Sequence, residues 1–264
     1  MEKQTNMSDL ELLKLAYEAA SKVAPVLVEF QECGFKTEYK DDASPVTEAD
    51  IAADKLITAT LKKSGLFIVS EEGSRADMYA RSAHERFWVV DPLDGTKEFI
   101  AGRPDFTINI GLINQGTPVL GVIVHPRVNT AYLGLTSLGF TQSDCRESFP
   151  SECSFTTEIP TLDIPHTAVV SRSHLKENTL NYLEEIRQKH PHLQVIRAGS
   201  SLKFCKLALG EAHLYPRFSP CMIWDTAAGD AILRSVGKKI VQMENGEDLD
   251  YVEGRLVNPS FLAE

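Results

Sequence analysis

The segment 88–96, WVVDPLDGT, constrains the fold more than any other part of the chain. It begins as an apolar, strand-like run and then carries Asp91 and Asp94 on either side of Pro92 and Leu93. Because proline fixes its own φ and has no N–H to donate, the strand is not expected simply to continue past Asp91. The turn can aim Asp91, the Leu93 carbonyl and Asp94 at one concave spot, and such oxygen ligands suit a hard divalent cation.

The two residues after this turn indicate a phosphate site. Gly95 allows the backbone to approach a ligand closely, and Thr96 opens a stretch that can start a helix with free N–H groups. A structural alternative stays open at this point. An Asp-Gly pair often marks a turn, and Asp94 would then only cap a helix.

Three further acids stand where predicted elements begin or end. Glu71, with Glu72 beside it, follows an apolar run, and Asp225 stands in WDTAAG at a predicted helix start. Asp50 is the third helical residue of a capping box that opens at Thr47. Each has a purely structural alternative: a solvated loop for the glutamates, an N-cap for Asp225 and a capping partner for Asp50.

Convergence of these acids on the 91–94 turn would create strong repulsion. Like charges about 4 Å apart repel by roughly 4 kcal/mol at an effective dielectric constant near 20. Such a cluster therefore requires cations. Two Mg²⁺ ions about 3.5–4 Å apart would satisfy it and would form a phosphate-transfer site.

The hydrophobic periodicity predicts an α+β, or mixed α/β, chain with more than one sheet layered with helices. The predicted helices cover 8–33, 47–63, 175–189, 201–209 and a stretch opening near Asp225; the predicted strands cover 66–70, 87–90, 106–113, 119–125, 130–136, 167–171, 193–199 and 238–243. Residues 141–165 are expected to be an irregular excursion. We expect a single catalytic unit over 1–264, with two closely packed lobes of roughly 1–145 and 146–264.

Charge and cysteine content narrow the class of protein. The 264 residues carry 27 Lys and Arg against 37 Asp and Glu, a net charge of −10. Nonspecific nucleic-acid binding is not expected, because it needs a basic face. Five scattered cysteines with no CxxC pair, no signal-peptide core and no long apolar run predict a cytoplasmic protein without a transmembrane segment. The sequence leaves the oligomeric state open.

Several stretches together resemble a known family. DPLDGT, with SEEG before it and WDTAAG after it, resembles the lithium-sensitive, magnesium-dependent phosphatase superfamily that includes inositol monophosphatase. SPVTEADIAAD, DPLDGTKEFI, SRSH, GSSLKFC and LYPRFSPCMIWDTAAGDAI are similar to the bacterial CysQ-type 3'(2'),5'-bisphosphate nucleotidases within it. The resemblance covers nearly the whole chain and implies the layered αβαβα sandwich of that superfamily.

The resemblance implies a role for each acid. One Mg²⁺ would be held by Glu71, Asp91 and the Leu93 carbonyl, and another by Asp91, Asp94 and Asp225, with two or three ions per site. The amides of Gly95 and Thr96 would take phosphate oxygens. The Thr96 hydroxyl, paired with Asp50, would orient or deprotonate the attacking water, with Glu71 assisting through the first metal.

The implied substrate is adenosine 3',5'-bisphosphate, cleaved to AMP and phosphate in a by-product removal step of sulfate assimilation. Ser173, His174, Gly199, Ser200 and Lys203 are similar to family positions that hold the nucleotide, and the metal ligands would also touch the substrate. Lys203 has the alternative of a solvated helix lysine, and His174 that of a helix-start residue. Peripheral attachment to the cytoplasmic face of the inner membrane is also implied by some family members, although no segment here explains it.

Three other functions stay open. A haloacid-dehalogenase-type phosphatase would form an aspartyl-phosphate, but that family carries Asp-x-Asp, whereas this chain has Asp91-x-x-Asp94. An inositol monophosphatase-like sugar phosphatase would use the same metals on a different substrate. A nucleotide or metal sensor would keep the fold without turnover.

Overall fold

The computed structural model describes residues 7–39, 45–160, 164–172, 176–252 and 255–264. Within them the α-helices are α1 (Asp9–Cys33), α2 (Glu48–Leu61), α3 (Arg75–Ala80), α4 (Thr96–Ile100), α5 (Glu177–Lys189), α6 (Leu202–Ala208) and α7 (Ala227–Arg234). The strands are β1 (Thr37–Tyr39), β2 (Pro45–Thr47), β3 (Phe67–Ser70), β4 (Arg86–Asp94), β5 (Thr107–Asn114), β6 (Thr117–His125), β7 (Thr130–Leu135), β8 (Gly139–Asp144), β9 (Thr167–Ser171), β10 (Gln194–Ala198), β11 (Tyr215–Arg217), β12 (Cys221–Met222), β13 (Ile240–Gln242), β14 (Val257–Asn258) and β15 (Phe261–Ala263).

The two long N-terminal helices begin at capping boxes, as the sequence predicts. Ser8 caps α1: its hydroxyl accepts the Glu11 N–H, and the Glu11 carboxylate accepts the Ser8 N–H at 2.7 Å. Thr47 caps α2 in the same reciprocal way with Asp50. Each box satisfies backbone donors that the first helical turn leaves free, so both helix starts are fixed locally.

The structure corrects two predictions about secondary structure and adds elements that the hydrophobic periodicity does not predict. Residues 141–144 are not irregular, because they form most of β8, a mainly polar strand at the edge of a sheet with a weak hydrophobic signal. The charged segment after Glu72 contains α3, and LYPRF contains β11. The helix predicted to open near Asp225 starts two residues later, because Asp225 ends a 3₁₀ helix, Ile223–Asp225.

The centre of the fold is a six-stranded sheet in the order β3-β4-β5-β6-β7-β8. β3 and β4 run parallel, and every other neighbouring pair is antiparallel. The predicted strands 106–113 and 119–125 correspond to β5 and β6, which form a hairpin whose turn residues Gln115 and Gly116 both have positive φ. Such φ values match the type of tight turn that joins two twisted antiparallel strands.

Helices and sheets stack in the layered αβαβα order that the resemblance implies. α1 and α2 cover one face of the large sheet, and α6 and α7 cover the other. Beyond α6 lies a second group of strands in which β9 pairs in parallel with β10, and β11, β15 and β13 form a small antiparallel sheet. A single bridge from Ala168 to Leu214 joins these two small sheets. α5 packs outside them through its own apolar cluster.

A row of three glycines lets helix α7 lie directly on the large sheet. Gly111, Gly121 and Gly134 face one another across β5, β6 and β7. A Cβ atom on Gly121 would lie 2.1 Å from the Ala228 carbonyl oxygen of α7, and one on Gly134 would lie 2.6 Å from the Ile232 Cα. Only glycine therefore permits this approach, which sets the height of α7, and of Asp225 just before it, above the sheet.

The described residues contain no helix that is both long enough and apolar enough to cross a membrane. The division into lobes of roughly 1–145 and 146–264 stays a prediction.

The glycine row generates a stability prediction. Gly121→Ala should lower the free energy of unfolding by about 3 kcal/mol, because the new methyl group must push backbone atoms of α7 away from the sheet. Gly237→Ala is the control, since Gly237 is exposed and has open space around it. Its φ of +75° should cost about 1–2 kcal/mol. Urea denaturation with fitted m-values measures both. Equal stability of Gly121→Ala and the unsubstituted protein would contradict the close approach.

Candidate active site

Three aspartates from two distant parts of the chain form a compact acidic cluster. One carboxylate oxygen from each of Asp91, Asp94 and Asp225 lies within 4.8 Å of the others. Among the described residues this is the one group of three or more His, Cys, Asp or Glu side chains that meets this distance. Carboxylate oxygens at such a spacing match the donor set of a hard divalent cation.

Glu71 and Asp91 reach the site together because their strands are parallel. Ser70 pairs with Val90 at the end of the β3–β4 ladder, and the Glu71 N–H donates to the Val90 carbonyl at 3.1 Å. Glu71 and Asp91, which directly follow this pair, therefore lie side by side at the same end of the β3–β4 ladder. The charge of Glu71 is close enough to raise the pKa of Asp91, after the larger effect of burial.

The 91–94 turn has the shape that its proline predicts. β4 pairs with β5 up to Asp91, loses its register over the next two residues and pairs again at Asp94. Asp91 is 1% exposed, and its Oδ1 accepts the Leu93 N–H at 3.0 Å. The Leu93 carbonyl accepts the Thr96 hydroxyl at 3.2 Å. Asp94 does not cap α4, because Gly95 occupies the N-cap position with φ +93°.

Asp225 is held from both sides. Its Oδ2 accepts the Met222 N–H at 2.9 Å, and its backbone carbonyl accepts the Ser201 hydroxyl at 3.1 Å. Thr226, not Asp225, stands at the N-cap position of α7. The N-cap alternative for Asp225 is therefore excluded, and its side chain lies in the acidic cluster.

The electrostatics of the cluster are those of carboxylates packed without cations. Burial, followed by the charges of Glu71, Asp94 and Asp225, raises the pKa of Asp91 well above its usual value. Burial and then the Asp94 charge raise the pKa of Asp225 to about 7, against a partial lowering by Arg217 and Lys203. The charged forms of Asp91 and Asp225 are thus disfavoured until a cation is present.

Asp50 links a helix start to the turn. Its Oδ2 accepts the Thr47 N–H at 2.7 Å and the Thr47 hydroxyl at 2.5 Å. Its Oδ1 accepts the Thr96 hydroxyl at 3.3 Å. Burial is the main cause of a raised pKa at Asp50. The same side chain therefore completes the capping box and contacts the residue after Gly95.

Glu71, Asp94 and Asp225 line a cleft that also carries three cationic side chains, those of Lys97, Lys203 and Arg217. Its lining includes eight of the residues that the sequence predicts for metal or substrate: Glu71, Asp94, Gly95, Thr96, Gly199, Ser200, Lys203 and Asp225. Lys203 is only 3% exposed, and its Nζ donates to the Ser200 carbonyl and lies 5.3 Å from the centroid of the Tyr215 ring. The alternative of a solvated lysine is therefore wrong. Burial first, and then the charge of Arg217, lower the pKa of Lys203 to about 8.

The loop that carries Gly199 is fastened by a buried acid. The Oδ2 atom of Asp105 accepts the Gly199 N–H at 3.2 Å and lies 2.7 Å from the Arg172 guanidinium. Arg172 follows β9 and Gly199 follows β10, so one carboxylate joins the ends of these two parallel strands. Ser173 and His174, which the sequence also predicts for substrate, lie outside the described residues.

Sequence reasoning missed several residues of the site. Asn109 and Ser201 contact Asp94, and Tyr215 and Arg217 line the cleft. Asn109 pairs with Asp91 across β4 and β5, so strand alternation could have shown that it shares the face of the acids. Nothing in the sequence indicates that Tyr215 lines the same cleft as these acids.

The raised pKa values predict proton release on metal binding. A ligand carboxylate must lose its proton to bind a cation, so Mg²⁺ should displace protons near pH 7 and should bind more tightly from about pH 6 to about pH 8. Calorimetric titration in two buffers of different ionisation enthalpy counts the protons. Asp225→Asn should release fewer. Identical binding enthalpies in both buffers would contradict the prediction.

Lys203 generates a second prediction. The pKa of Lys203 is lower in the fold than the usual 10.5, so its burial disfavours the folded state below about pH 8 and this cost disappears as the pH rises towards 10.5. Lys203→Met should therefore raise the free energy of unfolding at pH 7 by about 3 kcal/mol, corresponding to the shift in pKa. Lys55→Met, on the exposed side of α2, is the control. A less stable Lys203→Met protein at pH 7 would show that the ammonium group is well solvated or paired.

Comparison with known proteins places the chain in a family. The inositol monophosphatase family profile matches residues 9–264. The chain is 40% identical over 226 residues to the 3'(2'),5'-bisphosphate nucleotidase CysQ of Salmonella typhimurium, covering 84% of this chain and 86% of the relative. The Escherichia coli K12 protein of the same name is 39% identical over the same shares.

A solved structure shows the same fold. The crystal structure of CysQ from Bacteroides thetaiotaomicron, a bacterial member of the inositol monophosphatase family, superposes with a TM-score of 0.86 at 36% identity, covering 96% of each chain. The match spans every layer that brings the acids together. The chain therefore belongs to the inositol monophosphatase family.

Proposed function

We propose that this protein is a magnesium-dependent phosphomonoester hydrolase that converts adenosine 3',5'-bisphosphate to AMP and phosphate. The observation that carries the proposal is the placement of three carboxylates within 4.8 Å of one another, two of which, Asp94 and Asp225, line a cleft that also presents Lys203 and Arg217. An acidic cluster that needs cations and a cationic wall that suits an anion are the two halves of a site for phosphate esters. The relatives named above carry the name of this activity.

The residues present fit a pair of hard cations. One ion would be held by Glu71, Asp91 and the Leu93 carbonyl, and a second by Asp91, Asp94 and Asp225. These are oxygen donors, which Mg²⁺ prefers. Burial and the charges of neighbouring carboxylates raise the pKa values of Asp91 and Asp225. When bound, such ions supply Lewis-acid activation of water and neutralise charge on the phosphate oxygens.

The chain's own residues hold the phosphate and the water. Gly95, at φ +93°, is the N-cap of α4 and lines the cleft together with Thr96, so the free N–H groups at this helix start would be offered to phosphate oxygens there. The Thr96 hydroxyl contacts Asp50 Oδ1 and the Leu93 carbonyl, so its oxygen keeps a fixed position from which it can accept a proton from water. The raised pKa of Asp50 suits it to receive that proton in turn.

The reaction is a direct displacement. The water oxygen forms a bond to phosphorus, the bond between phosphorus and the ribose oxygen breaks, and the departing alkoxide takes a proton to become a hydroxyl. No covalent link to the protein is needed. The Asp91-x-x-Asp94 spacing and the burial of Asp91 under the turn both favour a ligand over a nucleophile.

The far wall of the cleft would hold the nucleotide. Lys203 and Arg217 offer positive charge to the second phosphate, and this charge favours a bisphosphate nucleotide over an inositol phosphate, which has no second anionic group to pair with it. Gly199 and Ser200, at the end of β10, would contact the ribose side. Ser173 and His174 stay predictions for the same purpose.

We place this activity in the cytoplasm, in the removal of the nucleotide by-product of sulfate assimilation. The cysteines of the described residues are all free, and two of them are exposed, which suits a reducing compartment.

The activity prediction uses phosphate release from a small panel of esters. Hydrolysis should require Mg²⁺ and should be faster with adenosine 3',5'-bisphosphate than with inositol 1-phosphate. Asp94→Asn and Thr96→Val should each reduce kcat by about 10²–10⁴-fold, since one removes a charge of the metal site and the other removes the water-orienting hydroxyl. Asp77→Asn, an exposed acid of α3, is the matched control and should keep full activity.

Other outcomes would point to the alternatives. A clear preference for inositol 1-phosphate would replace the substrate, and a phosphoenzyme trapped on Asp91 would replace the mechanism. Full activity with millimolar Ca²⁺ and no Mg²⁺ would contradict the metal geometry. Binding of the nucleotide without any release of phosphate would make the protein a sensor.

A further inference from the structure

The carboxylate of Asp94 is held by hydrogen bonds to one of its two oxygens. Oδ2 accepts the Ser200 hydroxyl at 2.7 Å, the Ser201 hydroxyl at 2.8 Å and the Asn109 amide at 3.4 Å. Within the described ranges, Oδ1 accepts no hydrogen bond from the protein. The donors therefore distinguish the two oxygens, one that accepts three hydrogen bonds from the protein and one that accepts none of those described.

These hydrogen bonds to Asp94 are supported by a network of buried polar groups. Asn109 is 1% exposed and Ser201 is 2% exposed. The Asn109 amide donates to the Ser201 hydroxyl oxygen at 2.9 Å, and the Thr107 hydroxyl donates to the Asn109 carbonyl oxygen at 2.9 Å. Burying a polar group costs desolvation free energy unless the group is hydrogen-bonded. Because the groups of this network are hydrogen-bonded to one another, the network acts as a unit.

Ser201 also joins two of the acids. Its hydroxyl lies 2.8 Å from Asp94 Oδ2 and 3.1 Å from the backbone carbonyl of Asp225. Asp94 comes from the end of β4, whereas Asp225 precedes α7, so one hydroxyl spans two elements that are far apart in sequence. Asn109 stands on β5 directly opposite Asp91, which ties the same network to the third acid.

We infer that Asn109 and Ser201 are positioning residues that hold Asp94 through Oδ2, so that Oδ1 is presented to the divalent cation shared with Asp225. The inference rests on the proposed function. Both residues are buried and hydrogen-bonded to Asp94, and they act through it. Partners of this kind behind a metal ligand commonly set metal affinity by fixing the orientation of the ligand.

The test is calorimetric titration of the full chain with Mg²⁺ alone, without substrate. Ser201→Ala should weaken one class of Mg²⁺ site by about tenfold to a hundredfold, because Asp94 loses its closest buried donor. The Mg²⁺ concentration that half-activates hydrolysis should rise in parallel, while KM for the nucleotide at saturating Mg²⁺ stays unchanged. Ser201→Thr, which restores a hydroxyl, should recover most of the affinity.

Ser235→Ala is the matched control, because Ser235 is a buried serine of the α7 C-terminus whose hydroxyl donates to the Ile232 carbonyl. It should leave Mg²⁺ affinity unchanged. Asn109→Ala should weaken the same Mg²⁺ site by a smaller factor. If both Asn109→Ala and Ser201→Ala only unfold the protein, the pair is structural and the inference is wrong.

The remaining outcomes separate this inference from the proposed function. An active unsubstituted protein whose Ser201→Ala variant binds Mg²⁺ as tightly as Ser235→Ala would overturn the inference alone. Weakened Mg²⁺ binding in Ser201→Ala, in a protein that hydrolyses no phosphate ester, would overturn the proposed function and support the inference. An unsubstituted protein that binds no Mg²⁺ would overturn both.

Discussion

The mutual repulsion of Asp91, Asp94 and Asp225 is the constraint on which the rest of the structure depends. At an effective dielectric constant near 20, two such charges about 4 Å apart cost roughly 4 kcal/mol. A chain that only needed to fold would keep these groups apart, and this one brings Asp225 and the two aspartates of the 91–94 turn within 4.8 Å of one another. The raised pKa values of Asp91 and Asp225 express the same tension. Bound cations would offset this repulsion, and paired cations between carboxylates are a feature of phosphate-transfer sites.

The fold holds the cluster together by features with no chemistry of their own. The parallel pairing of β3 with β4 places Glu71 beside Asp91. The glycine row on β5, β6 and β7 lets α7 pack closely against the sheet, which brings Asp225, just before α7, close to Asp91 and Asp94. The hydroxyls of Ser200 and Ser201 and the amide of Asn109 then fix the carboxylate of Asp94. Each of these features acts by fixing the position of one of the acids.

Much of this could be predicted where the signal is local. The capping boxes at Ser8 and Thr47, the bulge after Asp91 and the hairpin between β5 and β6 follow from short-range rules about donors, prolines and turn residues. The acids at 71, 91, 94 and 225 could be named because each follows a strand or precedes a helix. The layered fold followed from the family resemblance and is confirmed.

What the sequence could not show depends on contacts between distant segments. The edge strand β8 is too polar for its pattern to stand out, and the role of Gly121 appears only when α7 lies above it. Asn109 and Ser201 look like ordinary strand and loop residues until both are seen against Asp94. Lys203 could equally have been solvated, and only its burial under Tyr215 decides the matter.

The most direct test of the account is anomalous diffraction from crystals of the protein soaked in Mn²⁺, a divalent ion that also takes oxygen ligands. The account predicts anomalous peaks in contact with the carboxylates of Asp91, Asp94 and Asp225. A crystal with no such peak there, at Mn²⁺ concentrations that support hydrolysis in solution, would contradict it.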